Sequence, residues 1–147
     1  MTANTHGSPA PPERIRRHSV VTRLTHWLNV LAVVVLVMSG LQIFNAHPRL
    51  YWGQAGANAD MPFIEITSVV SGADGRRGVV RFGRHAVDTT GFLGLSGSLD
   101  DPMRRGFPAW ATLPGYQDLA TGRRWHLFFA WVLVLNGALS VSYTHLT

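Results

Sequence analysis

Two long, mostly apolar stretches constrain this 147-residue chain more than any other feature. The first is Leu28–Phe44, set inside the run Leu24–Ala46, which carries no charged side chain. A helix of about 20 residues, rising 1.5 Å per residue, crosses a hydrocarbon core of about 30 Å. The run is too long for the apolar part of a signal peptide. No small-x-small cleavage site follows at once, because Gln42, Ile43 and Phe44 intervene. The second stretch is Trp125–Val141, preceded by Arg123 and Arg124. Asp118 stands where an N-cap belongs, so the expected helix begins near Leu119. Beyond Val141 the apolar pattern decays through Ser142 to Thr147, as if the span were cut short or joined to foreign sequence.

Composition supports a membrane reading. Hydrophobic residues make up 46% and charged residues 14%, against about 25% charged in soluble domains. All 13 basic residues are arginine, scattered or paired rather than massed, which argues against nucleic acid as the partner of this basic chain and for membrane lipid. The absence of cysteine excludes a disulfide scaffold, a cysteine-bound zinc or iron–sulfur site and covalently attached haem. Arg14, Arg16, Arg17 and Arg23 precede the first span against the single acid Glu13, which places the N-terminus in the cytoplasm.

The expected organisation is a disordered tail over 1–13, a first transmembrane helix over 14–46, a periplasmic insert over 47–117, a second transmembrane helix over 118–141 and a terminus of uncertain affiliation over 142–147. In the insert, Phe63–Thr67 and Val79–Phe82 alternate in polarity around the turn-rich Ser71–Gly78, which predicts a small β-hairpin. The aromatic, proline-broken Phe107–Tyr116 suits a lipid headgroup layer. No phosphate-binding loop, dinucleotide fingerprint or nucleophile triad is visible, so the chain reads as a carrier or anchor rather than an enzyme.

The chemistry-bearing candidates are His26 beside Trp27 and His126 beside Trp125, each near the start of a span with arginine close by: Arg23 for one, Arg123 and Arg124 for the other. Ionisable groups in membrane helices tend to be functional, and a neutral imidazole is a good axial ligand for haem iron. Two antiparallel helices put these histidines on opposite sides of the bilayer, so each needs its own haem and a second ligand from elsewhere. The competing reading makes both residues interfacial anchors. Gly40 and Gly137 offer surfaces where a helix or a flat macrocycle can approach closely. Asn29 and Asn136 are placed to hydrogen-bond a neighbouring helix. His47 reads as a loop residue, and His6, His18 and His85 as solvated; His145 belongs to the uncertain terminus.

Arg23-Leu-Thr-His-Trp27, the helix end Met38-Ser-Gly-Leu-Gln-Ile-Phe44, His47-Pro-Arg-Leu-Tyr-Trp-Gly53 and Thr121-Gly-Arg-Arg-Trp-His-Leu-Phe-Phe-Ala-Trp131 together resemble the bacterial dihaem b-type cytochromes. These include the membrane subunits of nickel–iron hydrogenases and the thiosulfate-reductase cytochrome b group. The resemblance covers about 13–55 and 105–138. It implies an all-α membrane fold, with this chain supplying the first two helices of a four-helix haem-binding bundle as an N-terminal fragment. It implies two haem b groups, with His26 ligating the one nearer the cytoplasm and His126 the one nearer the periplasm, and with both opposing ligands on a fourth helix. Arg23 and Arg124 become partners for haem propionates. The implied role is electron relay in the bacterial inner membrane, between the quinone pool and a partner oxidoreductase that is often molybdopterin-dependent. The alternative is a haem-free membrane anchor presenting the insert.

Overall fold

The computed structural model describes residues 19–52, 60–72, 75–97 and 101–146. The expected N-terminal tail over 1–13, with His6, and the start of the first expected transmembrane helix, with Arg14, Arg16, Arg17 and His18, lie outside the described residues.

Helix α1 runs Val20–Phe44. The Ser19 hydroxyl caps it by accepting from the Thr22 N–H at 3.2 Å. It stops at Asn45, three residues ahead of Pro48, which cannot continue a helix. Helix α2 runs Leu119–Leu146, five residues past the expected end. Asp118 is its N-cap, accepting from Ala120 N at 2.9 Å, Thr121 N at 3.1 Å and the Thr121 hydroxyl at 2.7 Å. These bonds, the Thr121 hydroxyl first, hold the Asp118 carboxyl below the usual carboxylate range.

Both helices are long and apolar enough to cross a bilayer. Their surface is inverted relative to a soluble protein. Ser39, Gln42 and Asn136 are buried, while Leu24, Val37, Leu127, Phe128, Trp131 and Leu139 face outward. Such a continuous apolar exterior around polar contacts is the arrangement of helices packed in lipid, where small and polar side chains join the helices.

The segment between the helices corrects the all-α expectation. It holds two antiparallel sheets. One has four strands in the order β1 (Arg49–Leu50), β2 (Ile64–Val70), β3 (Arg76–Phe82), β4 (His85–Asp88); the other pairs β5 (Gly94–Gly97) with β6 (Pro102–Arg105). The expected hairpin is present as β2–β3, with Ile66 opposite Val80 and Thr67 opposite Val79. The remaining strands carry no readable alternation: β1 is two residues long, and all four residues of β4 are exposed. Two glycines let β5 lie against the hairpin. A side chain at Gly78 would strike the Leu93 carbonyl, and one at Gly94, whose φ is +80°, would strike the Thr67 carbonyl. The core so formed is small: Ile66, Val79, Val80 and Leu95.

Candidate functional site

The helices pack antiparallel, and three contacts fix their register. Asn136 Nδ2 donates to Asn29 Oδ1 and to the Thr25 carbonyl, both at 2.7 Å. His126 Nδ1 meets Ser39 Oγ at 3.1 Å. Gly122 lies under Gln42, whose Cγ would be 2.9 Å from an added Cβ. The steps match: ten and then three residues up α1 correspond to ten and then four down α2. The interface stripe is therefore Thr25, Asn29, Ala32, Leu36 and Ser39 on α1, facing Asn136, Leu133, Phe129 and His126 on α2.

The hydrogen bonds at Ser39 set the state of His126. Ser39 Oγ lies 2.7 Å from the Val35 carbonyl, which can only accept. The single hydroxyl proton therefore goes to Val35, and Oγ accepts from His126 Nδ1–H. This places a hydrogen on Nδ1 and turns Nε2 away from Ser39. Among the described residues Nε2 has no hydrogen-bond partner. Gly40 makes room beside the ring, since a Cβ there would sit 3.5 Å from His126 Cε1.

His26 is placed differently. It is exposed on α1, with the Trp27 ring edge-on at 5.8 Å between centroids. It borders a shallow cavity of about 340 Å³ with Thr22, Arg23 and Trp27. It follows Thr25 by one residue, a turn of about 100° away from the interface stripe.

That offset reveals a shared face. In an antiparallel pair, the residue just C-terminal to an interface position falls on the same side of the pair on both helices. On α1 these residues are His26, Val33 and Gly40; on α2 they are Arg123, Ala130 and Gly137. Gly137 is one residue past Asn136 and His26 three before Asn29, so the two lie within about 3 Å of one level along the axis. Nothing lies within 4 Å of a Cβ built on Gly137. His126 is level with Ser39 and touches Gly40. Each histidine thus has a glycine from the opposite helix at its height; both glycines and His26 lie on the shared face, while His126 lies on the interface stripe beside it, with small Val33 and Ala130 between the two levels. Ser39 is 13 residues beyond His26, so the imidazoles stand about 20 Å apart along the axis.

The expected arginines divide. Arg23 borders the His26 cavity. Arg124 lies about 160° round α2 from His126, where its charge helps lower the Asp118 carboxyl. Arg123, about 60° from His126, is the arginine on the face shared with His26, Gly40 and Gly137. His47 is exposed and stacked on Tyr51, with centroids 6.1 Å apart, and His85 is exposed on β4.

Sequence reading missed the buried centre that joins the insert to the helices. Arg105, 4% exposed, donates from Nε to the Phe107 carbonyl at 2.6 Å and from Nη1 to the Gly115 carbonyl at 2.7 Å. Its Nη2 donates to Thr112 Oγ1 at 2.8 Å and to Gln42 Oε1 at 3.4 Å. Burial pushes the guanidinium pKa down. Gln42 also donates to the Tyr116 carbonyl at 2.9 Å, and Asn45 Oδ1 accepts from Phe107 N at 2.7 Å. The only advance signal was the polar pair Gln42 and Asn45 at the end of an apolar helix.

Among the described residues no group of three or more histidine, cysteine, aspartate or glutamate side chains could hold a bare metal ion. A metal at either histidine therefore has to bring most of its own ligands. No family model, curated protein or solved structure matches the chain.

Proposed function

We propose that this chain is part of a haem b-binding membrane electron-transfer subunit of the dihaem cytochrome type. In this reading it relays electrons between the quinone pool and a partner oxidoreductase, molybdopterin-dependent in one version of the scheme. The observation that carries the reading is the Ser39–His126 contact. An axial imidazole needs one nitrogen bonded to the protein, to fix ring and tautomer, and the other bare for iron. His126 meets both conditions between two helices. The donor set fits haem, whose porphyrin supplies the equatorial ligands and whose iron carries one electron at a time.

The chain's own residues have distinct parts. His126 binds from the end of the pair nearer the insert, and His26 from the opposite end. Gly40 makes room for the His126 ring, and Gly137 leaves open clearance at the level of His26. Arg123 and Arg23 supply positive charge one turn beyond each histidine, where carboxylates of a bound group could be paired. Both opposing ligands come from outside these two helices. The arginine-rich start of the chain supports a cytoplasmic N-terminus, with the insert across the membrane from it; the bacterial inner membrane and its periplasmic side are what the cytochrome resemblance implies.

The test is the reduced-minus-oxidised absorption spectrum of the whole gene product purified from membranes with haem supply in excess. A b-type spectrum, reduced by about half in His26→Ala and in His126→Ala, is the expected result. Unchanged haem content in both variants would refute the ligand assignment. A colourless native protein would leave only the anchor role.

A further inference from the structure

We propose that segment 107–116 is a wedge seated in the membrane interface, with its aromatic side facing lipid headgroups and glycerol esters at the α1 C-terminal side of the bilayer. The inference rests on the two helices spanning a membrane and is independent of haem.

Depth is the first argument. The Leu113 N–H donates to the Met38 carbonyl at 3.1 Å. Met38 is six residues before the end of α1, about 9 Å below the helix terminus. The Leu113 carbonyl comes within 3.8 Å of a Cβ built on Gly122 in α2. The segment therefore descends beside both helices instead of arching over them.

Backbone chemistry is the second. Non-helical chain at membrane depth is tolerated only where its polar groups are satisfied within the protein. The carbonyls of Phe107, Gly115 and Tyr116 and the N–H groups of Phe107 and Leu113 all have such partners: Arg105, Gln42, Asn45 and Met38. A connecting loop in water has no need of a buried guanidinium, because water would hydrate those carbonyls.

The outer surface is the third. Trp110 is 71% exposed and Tyr116 64%, and Trp110 lies against the exposed Phe92 with ring centroids 6.0 Å apart. Trp110 and Tyr116 border one shallow cavity together with Met103. Tryptophan and tyrosine concentrate at the water–lipid boundary, where the ring is in apolar surroundings and the N–H or O–H stays wet. Leu119 and Trp125, exposed on the first turns of α2, continue this surface into the apolar girdle of the helices. Exposed Arg104 and Arg124 add positive charge suited to lipid phosphate.

The chain has no cysteine, so each introduced cysteine is a unique site in it for a nitroxide label. Ala109→Cys and Phe92→Cys report on the wedge, Leu135→Cys on mid-span and Val70→Cys on the exposed end of β2. The full protein is reconstituted in phosphatidylcholine vesicles, and collision with molecular oxygen is compared with collision with a polar nickel chelate. Oxygen partitions into lipid and the chelate is excluded, so the oxygen-to-nickel ratio at Ala109 and Phe92 should exceed that at Val70 by at least ~3-fold and stay below that at Leu135. Ratios at Ala109 and Phe92 equal to the Val70 value, with Leu135 still deep, would overturn the wedge and leave the spanning helices intact. Aqueous values at all four positions would overturn both.

Discussion

The two ends of the helix pair differ sharply in how their polar groups are held. At the insert end two groups of buried or half-buried polar side chains are held by hydrogen bonds: Ser39 with His126, and Gln42 with Asn45 and Arg105. At the other end, Asn136 ties the helices through Asn29 Oδ1 and the Thr25 carbonyl, and His26 stands exposed a turn away. Similar local sequences, His26-Trp27 and Trp125-His126, have therefore come to opposite environments. The cause is helical phase: His126 falls on the interface stripe, and His26 one position off it. A histidine beside a tryptophan near a helix start does not fix its own surroundings; its phase relative to the packing stripe does.

The largest effect that could break this comparison is expected from Arg105→Met. It strips partners from two carbonyls, the Thr112 hydroxyl and Gln42, and should lower stability by about 3 kcal/mol. In hydrogen exchange, the amides of 106–116 should lose protection while those around Asn29 keep theirs. Equal loss at both ends would mean that the ends are not independent. Asn136→Leu removes the interhelical tie at the weaker end, and a cost of about 1 kcal/mol is expected in detergent unfolding. A cost as large as that of Arg105→Met would reverse the ranking of the two ends.

Ser39→Ala should cost about 0.6 kcal/mol and release the His126 ring. In the haem-loaded protein it should shift the reduction potential of one haem and leave the other unmoved; movement of both would show that Ser39 acts on the whole helix pair. The smallest effect concerns Asp118. Its folded-state pKa lies below the ordinary value, so the stability it adds is present above the ordinary carboxylate pKa and is lost as pH falls through the depressed one. Exchange protection of Ala120 and Thr121 should survive to pH values where free aspartate is protonated. Loss already at the ordinary carboxylate pKa would remove the cap from the account.

Legibility followed the same division. The spans, the Asp118 cap and the β2–β3 hairpin are visible because each carries a strong local pattern: a long apolar run, a capping residue before it, two alternating segments around a glycine-rich turn. Asn29 and Asn136 stand out as polar residues in apolar helices, and they prove to be partners. The second sheet and the outer strands of the first are not visible, because strands of two to four residues interrupted by glycine and proline have no period to read. Their presence is what makes the molecule a mixed helix-and-sheet protein rather than an all-α one. Arg105 is hidden for another reason. In sequence it is one arginine of thirteen, and only tertiary placement shows that its partners are backbone carbonyls beside the helix ends. Which of Arg123 and Arg124 shares a face with His26, Gly40 and Gly137 likewise required the register of the two helices.

The most direct test of the central claim is a potentiometric titration of the native protein and its two histidine variants, followed optically. The account gives two one-electron b-type waves in the native protein, one lost in His126→Ala and the other in His26→Ala. Two unchanged waves in both variants, or no haem absorbance in the native protein, would contradict it.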